Sequence, residues 1–395
     1  MIRAKVGYST NIDDELSGIE SASKSTRDFE NVKINFLYTS CKNDTKKILK
    51  GVRKVTDAPI IGCTSCEGII TPDGYISSEN GFSGILSLND KNMVVGVGIR
   101  EAGKDPRAVG RRVAIDAVEN ANSTRAPAYF YMIASPKEEE EYLMGIQDVI
   151  GRVPCFGGSA ADDTIEENWS IFCNDKVIND GVAVAFFYTD CEIITSFTGA
   201  YNETNNVGLI TKVKDKRTIV SIDGISALKK YAHWKGVNPD NLKGENLLLK
   251  SVLKPLGIKD PLGNLTVVRH PVYADDNGTK KNDDDTIRLG NNIVEKTAII
   301  QLEASKQELI DAAAEVIKDL KKQIYTTPAA YILIYDGARK KYLGKDIEEV
   351  AAQVIKETRG VPFIMPFNFG EYGYDEHSSN ICGGLMLSFN VFGKD

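Results

Sequence analysis

One order of elements recurs three times along this chain and limits its fold more than any composition figure does: strand, helix, strand, helix, strand, loop, strand. The first unit reads "RAKVGYST", a polar helical stretch from Asp13 to about Phe29, "NVKINFLYTS", the helix "NDTKKILKGVRKV", "APIIGCTS", a loop and "GFSGILSL". The second reads "MVVGVGIR", "DPRAVGRRVAIDAVENA", "APAYFYMIAS", "KEEEEYLMGIQDVIG", "VPCFGGSA", a loop and "DGVAVAFFY". The third reads "KTAIIQLEA", "SKQELIDAAAEVIKDLKK", "PAAYILIYDG", "GKDIEEVAAQVIKETRG", "VPFIMPFNFGEYG", a loop and "NICGGLMLSF".

The helices carry apolar residues at three- and four-residue spacing, as in Ile310, Ala313, Ala314, Ile317 and Leu320. The strands are apolar on both faces, as in sheets covered by helices. The expected fold is therefore α/β: three β-α-β-α-β-β units, with a β-rich region from Glu192 to Asn292 inserted between the second and third. That region holds the short helix "SALKKYAHW" and a polar loop at 275–285, whose aspartates read as a solvated turn rather than a metal site. With 395 residues the chain exceeds one ordinary core. It divides into 1–200, holding two units, and 201–395, holding the β-rich part (201–292) and the third unit (293–395). The acidic run at 137–141 reads as a helix's first turn, where carboxylates complement the dipole, in preference to an acidic docking patch.

A net charge of -7 argues against nucleic acid as a partner. No apolar run reaches the roughly 18 residues of a membrane span, and "MIRAKVGYST" has no signal-peptide core. Seven scattered cysteines read as reduced thiols, which places the chain in the cytoplasm.

"IIGCTSCEG" invites a redox or metal reading of Cys63 and Cys66. Structural zinc needs four ligands, and no second pair exists; His233, His270 and His377 are unclustered. A redox pair would open a helix, whereas "GIITPDGYISSENGF" follows. Neither metal nor redox cofactor is expected. The segment has counterparts at the same place in the other units, "GGSAADD" and "FNFGEYG". Ligands of α/β folds sit at the carboxyl ends of strands, where bare amides converge. Cys63, Thr64 and Ser65 thus read as one wall of a composite pocket, with Gly157 and Gly158 allowing close backbone approach. Asp162 and Asp163 cap or orient the second strand end, and Asn368 belongs to the third. Arg339 is a candidate carboxylate clamp and Glu371 a candidate ammonium acceptor, a pair suited to an α-amino acid. The alternative for Arg339 is a surface position or an ion pair with Glu371. Trp169, Tyr131 and Phe369 read as core or pocket wall.

These strand ends, taken in order, resemble the FIST family, which is built from an N-terminal and a C-terminal FIST domain. "IIGCTS" is similar to its Gly-Cys-Ser/Thr-Ser/Thr strand end and "GGSAADD" to its Gly-Gly-x-Ala-Gly-Asp motif. "LITKVKDKRTIVSIDGISALKKY" resembles its Asp-Gly-x-Pro-Ala segment, and "GAR" followed by "FNFGEYG" its Ala-Gly-Arg and Tyr-Gly-Glu-Ile elements. Departures are Glu67-Gly68 in reversed order, Cys66 for Ala, Ser226 for Pro and Asp336 for Cys. The resemblance implies a sensory module for an amino acid or related small metabolite. Such domains are often fused to signalling outputs; none follows here, so a stand-alone binding protein with a signalling partner is expected. Some members bind haem and sense nitric oxide, which would need an axial histidine such as His270 or His377. A third reading is an enzyme with Cys63 or Cys155 as nucleophile.

Overall fold

Helices begin where short polar side chains satisfy the first free amides. In the computed structural model, which describes residues 1–259, 265–274, 285–374 and 380–394, Asp13, Asp44 and Asp105 accept from Leu16, Lys46 and Ala108 at helix starts. Ser305 and Glu308 form a reciprocal capping box ahead of the helix Lys306–Gln323. The apolar stripe read in that helix is buried throughout. The architecture is mixed α/β. No helix among the described residues is long and apolar enough to cross a membrane.

Three six-stranded sheets share one strand order. The first runs Arg3–Ser9, Ser83–Asn89, Val32–Thr39, Ile60–Thr64. The second runs Val94–Glu101, Gly181–Tyr188, Tyr129–Ala134, Cys155–Ser159. The third runs Ile193–Thr198, Leu387–Gly393, Pro328–Asp336, Phe363–Asn368. In each, the last two of these strands are parallel and the other pairs antiparallel.

Each sheet is completed by a hairpin from another. Ile171–Cys173 with Lys176–Ile178 pairs onto Ile60–Thr64, Glu371–Tyr374 with Asn380–Gly383 onto Cys155–Ser159, and Ile69–Thr71 with Gly74–Ile76 onto Phe363–Asn368. The exchange is cyclic, and it closes the three sheets around one core. Phe36, Tyr131, Phe156, Phe187 and Phe392 meet there, with Phe36 and Tyr131 edge to face at 5.1 Å. Helix pairs cover the outer faces. They cross closely because glycines face backbone: a Cβ on Gly18 would lie 2.2 Å from the Ile48 carbonyl, and one on Gly145 2.1 Å from that of Arg107.

The third sheet corrects the reading from sequence. Its first strand is Ile193–Thr198, hydrogen-bonded along Leu387–Gly393. "KTAIIQLEA" supplies Ala298–Glu303 to a separate inserted sheet instead, between Leu256–Lys259 and Asn202–Val213. The insertion thus interrupts the third unit after its first strand; it does not lie between units. "EIITSFTG" and "KTAIIQLEA" have the same apolar texture, and texture does not choose a pairing partner. The short helix of the insertion forms as Ala227–Lys235. Apart from Asp285, the 275–285 loop lies outside the described residues, as does His377.

Candidate functional site

The carboxyl ends of the second and third sheets face the inserted sheet across a cavity of about 470 Å³. The loop after Tyr129–Ala134 contributes Pro136, Lys137 and Glu139, and the loop after Cys155–Ser159 contributes Ile165, Glu167 and Trp169. Asp336, Ala338, Phe369, Gly370 and Gly384 come from the third sheet and its hairpin. The insertion supplies Arg217, Leu248, His270, Val272, Tyr273 and the run Arg288–Asn291.

One buried carboxylate shapes the second loop. Asp162 accepts from the amides of Thr164 (3.1 Å), Ile165, Glu166 (3.1 Å) and Asn168 (2.7 Å). This is the capping role anticipated for it. Held that way, Ile165 and Glu167 adopt φ of 63° and 65°, a conformation rare for a β-branched residue. Trp169 donates to the Asn179 carbonyl at 2.9 Å and meets Phe369 edge to face at 6.4 Å.

Behind the cavity the strand ends lock together. Gly157, at φ 142°, leaves no room for a side chain, since a Cβ would lie 1.9 Å from the Met132 carbonyl oxygen. Gly158 pairs with Glu371 across the exchanged hairpin. Asn368 donates to the Ser159 carbonyl at 2.7 Å and to the Cys63 sulfur at 3.4 Å. The Ser159 hydroxyl bonds Tyr372 at 2.7 Å and donates to Glu139 at 3.2 Å.

Arg339 does not line the cavity. It is wholly buried: its Nη2 donates to the carbonyls of Gly199 and Leu385 (the latter at 2.6 Å), and its guanidinium lies 4.8 Å from the centre of the Tyr201 ring. No ion pair joins it to Glu371 among the described residues. Glu371 instead accepts from the Met386 amide at 2.8 Å, while Asp336 accepts from Arg339 N at 2.8 Å and Leu385 N at 3.1 Å. Three residues thus grip the Gly383–Met386 turn, where Leu385 sits at φ 54°. Burial pushes Asp336 above the ordinary carboxylate range; burial and then the neighbouring Asp336 charge push Glu371 well above it.

The first strand end lies away from the cavity. Thr64 accepts from Ser170 N at 3.0 Å, and Ser65 accepts from Phe367 N at 2.8 Å while donating to Gly68 O at 2.7 Å. Burial pushes the Cys63 thiol up to about 12 and raises Cys66 and Cys155 as well, so none is an activated nucleophile. Asp163 lines another cleft, of about 420 Å³, with Lys42, Glu67 and Tyr75, where it accepts from Glu67 N at 2.7 Å. Glu67 in turn pairs with both Lys340 and Lys341.

Several wall residues escaped the sequence reading. The acidic run does begin a helix, but it also docks the insertion. Arg217 bonds Glu139 at 2.8 Å and Glu140 at 3.2 Å, Asn292 N donates to Glu140 at 2.8 Å, and Lys216 pairs with Glu141 at 2.6 Å. The adjacent Lys216 and Arg217 were the available signal. His270 is buried, bonds the Leu248 carbonyl through Nε2 at 2.8 Å, and is pushed down to about 4 by burial. His233 is exposed on its helix. Neither fits an axial haem ligand as placed. Among the described residues no cluster suits a metal ion.

The model of the FIST N domain matches residues 33–225 and that of the FIST C domain residues 227–374. No curated protein matches. Among solved structures, cyanuric acid hydrolase from A. caulinodans is similar at 11% identity and a TM-score of 0.29, over 50% of this chain and 72% of that one. A second cyanuric acid hydrolase gives 8% and 0.28, over 77% and 100%. PurLQS from Thermotoga maritima gives 9% and 0.25, over 100% and 72%. Likenesses this low carry no functional argument.

Proposed function

The chain belongs to the FIST family, a family of sensory domains, and we propose that it senses an amino acid or related small metabolite bound in the cavity beneath the inserted sheet. The observation that carries this reading is the wall itself. Buried Glu139 and Asp336 and the half-buried Arg217 stand beside Trp169, Phe369, Leu248 and Val272 around about 470 Å³. That is the size and mixture of a small-ligand site.

The wall joins three parts of the chain: the second sheet, the third sheet and the insertion. A ligand touching all three favours the arrangement that holds them together, and a signalling partner reads that arrangement. Of the residues singled out from sequence, Asp162 shapes the loop that carries Ile165 and Glu167, Gly157, Gly158 and Asn368 lie behind the cavity, and Arg339 and Glu371 hold the turn that carries Gly384. Seven free cysteines fit a reducing, cytoplasmic setting.

The test is a thermal-shift screen of amino acids and small carboxylates. A ligand at 100 times its dissociation constant stabilises by about 2.7 kcal/mol. Leu248→Trp, which fills the cavity, should abolish the shift. A shift that survives the substitution puts the ligand elsewhere, and no shift from any compound removes the amino-acid reading.

A further inference from the structure

One end of the cavity is built of acceptors. Asn291, on the wall and 2% exposed, donates from its amide nitrogen to the Cys382 sulfur at 3.2 Å. Its Oδ1 is fully buried without a hydrogen-bond partner among the described residues. A buried amide oxygen is costly to leave unmatched. It lies beside Gly384, where a Cβ would stand 3.2 Å from the His270 Cβ and 3.4 Å from Asn291 Oδ1. Asp336, 3% exposed and on the same cavity wall, accepts from Arg339 N at 2.8 Å and Leu385 N at 3.1 Å, and a carboxylate has about four acceptor sites.

Two of the wall's cations, Arg217 and Lys137, are engaged by protein groups. Arg217 donates to Glu139, Glu140, Asn292 and the Gly290 carbonyl, and Lys137 pairs with Glu167. We propose that Asn291, Asp336 and the bare backbone of Gly384 form a recognition end for an N–H donor, so that the ligand carries an ammonium or similar donor head on an apolar body. The body packs against Trp169, Phe369, Leu248 and Val272. This inference rests on the cavity being the sensor's ligand site and adds which ligand chemistry it selects.

Two matched sets test it in the full chain by calorimetry: L-phenylalanine, phenylethylamine and 3-phenylpropanoate, and L-leucine, isoamylamine and 4-methylpentanoate. The amino acid and the amine of at least one set should bind, and its desamino acid should bind at least about tenfold more weakly. Gly384→Ala and Asn291→Leu should each weaken the amine by about tenfold or more while leaving the desamino acid's affinity unchanged. Asn291→Leu decides the matter if Gly384→Ala does not fold. Trp169→Ala should weaken all three aromatic compounds without changing their ratio. Acids binding as well as amines, or variants that keep the wild-type preference, overturn the acceptor end and leave the cavity reading intact. If no compound of either set binds the wild type, both fall.

Discussion

Arg217 of the inserted sheet reaches Glu139, in the first turn of the helix Glu139–Ile150, at 2.8 Å, with the carboxylate 2% exposed and the arginine 14%. The pair fastens the roof of the cavity to its wall. Removing one member of a buried pair strands the other's charge, which costs about 3–5 kcal/mol. Arg217→Ala should therefore lower the free energy of unfolding in urea by about 3 kcal/mol, and Arg217→Met with Glu139→Gln by less. Equal losses in the single and double variants would mean that the pair does not hold the roof.

Glu371 gives a pH signature of known sign. Its folded-state pKa lies well above the ordinary 4.5, so the folded protein holds the proton more tightly than the unfolded chain. The proton-linked stability is complete at low pH and is lost as pH rises. Glu371→Gln keeps an acceptor for the Met386 amide and removes the titration. Relative to wild type it should gain up to ~1.4 kcal/mol per pH unit above about pH 5. Parallel stability curves for the two proteins would refute the assignment.

Thiol chemistry should separate the cysteines by burial. Cys41 and Cys191 are half-buried, and the other five are buried. A thiol-disulfide reagent at pH 8 should modify two thiols in the native protein and the remaining five only in denaturant. Rapid native labelling of Cys63 or Cys66 would revive a redox role for the pair.

Gly157→Ala should be among the most damaging single-methyl additions. The Cβ would lie 1.9 Å from a main-chain oxygen at a φ of 142°, and neither strand can withdraw without parting from its neighbours. A loss of about 3 kcal/mol or more is expected from overpacking and strain together, measured by chemical denaturation. A variant as stable as wild type would mean that the strand crossing is not fixed there.

Much of this was legible locally. The stripe Ile310–Leu320 and the apolar strands follow from periodicity, which a short window contains. What was lost is non-local. Ile193–Thr198 belongs to the third sheet only because Leu387–Gly393 lies beside it, almost two hundred residues on. Arg339 follows an apolar strand, as a ligand clamp would, yet its guanidinium points to the Gly199 and Leu385 carbonyls. Asn291 carries no motif at all; its buried, unmatched oxygen beside Gly384 appears only when segments almost a hundred residues apart meet.

The cyclic exchange of hairpins makes the two halves of this chain poor candidates for separate life. A fragment ending near residue 200 would keep Ile69–Ile76 with no strand to join. It would also leave Cys155–Ser159 with an open row of amides and carbonyls where Glu371–Tyr374 belongs. Such an edge invites pairing with whatever strand is nearest, including that of another fragment. During synthesis the first 200 residues wait with both seams open until Phe363–Asn368 and Glu371–Tyr374 emerge, and until then they are exposed to association.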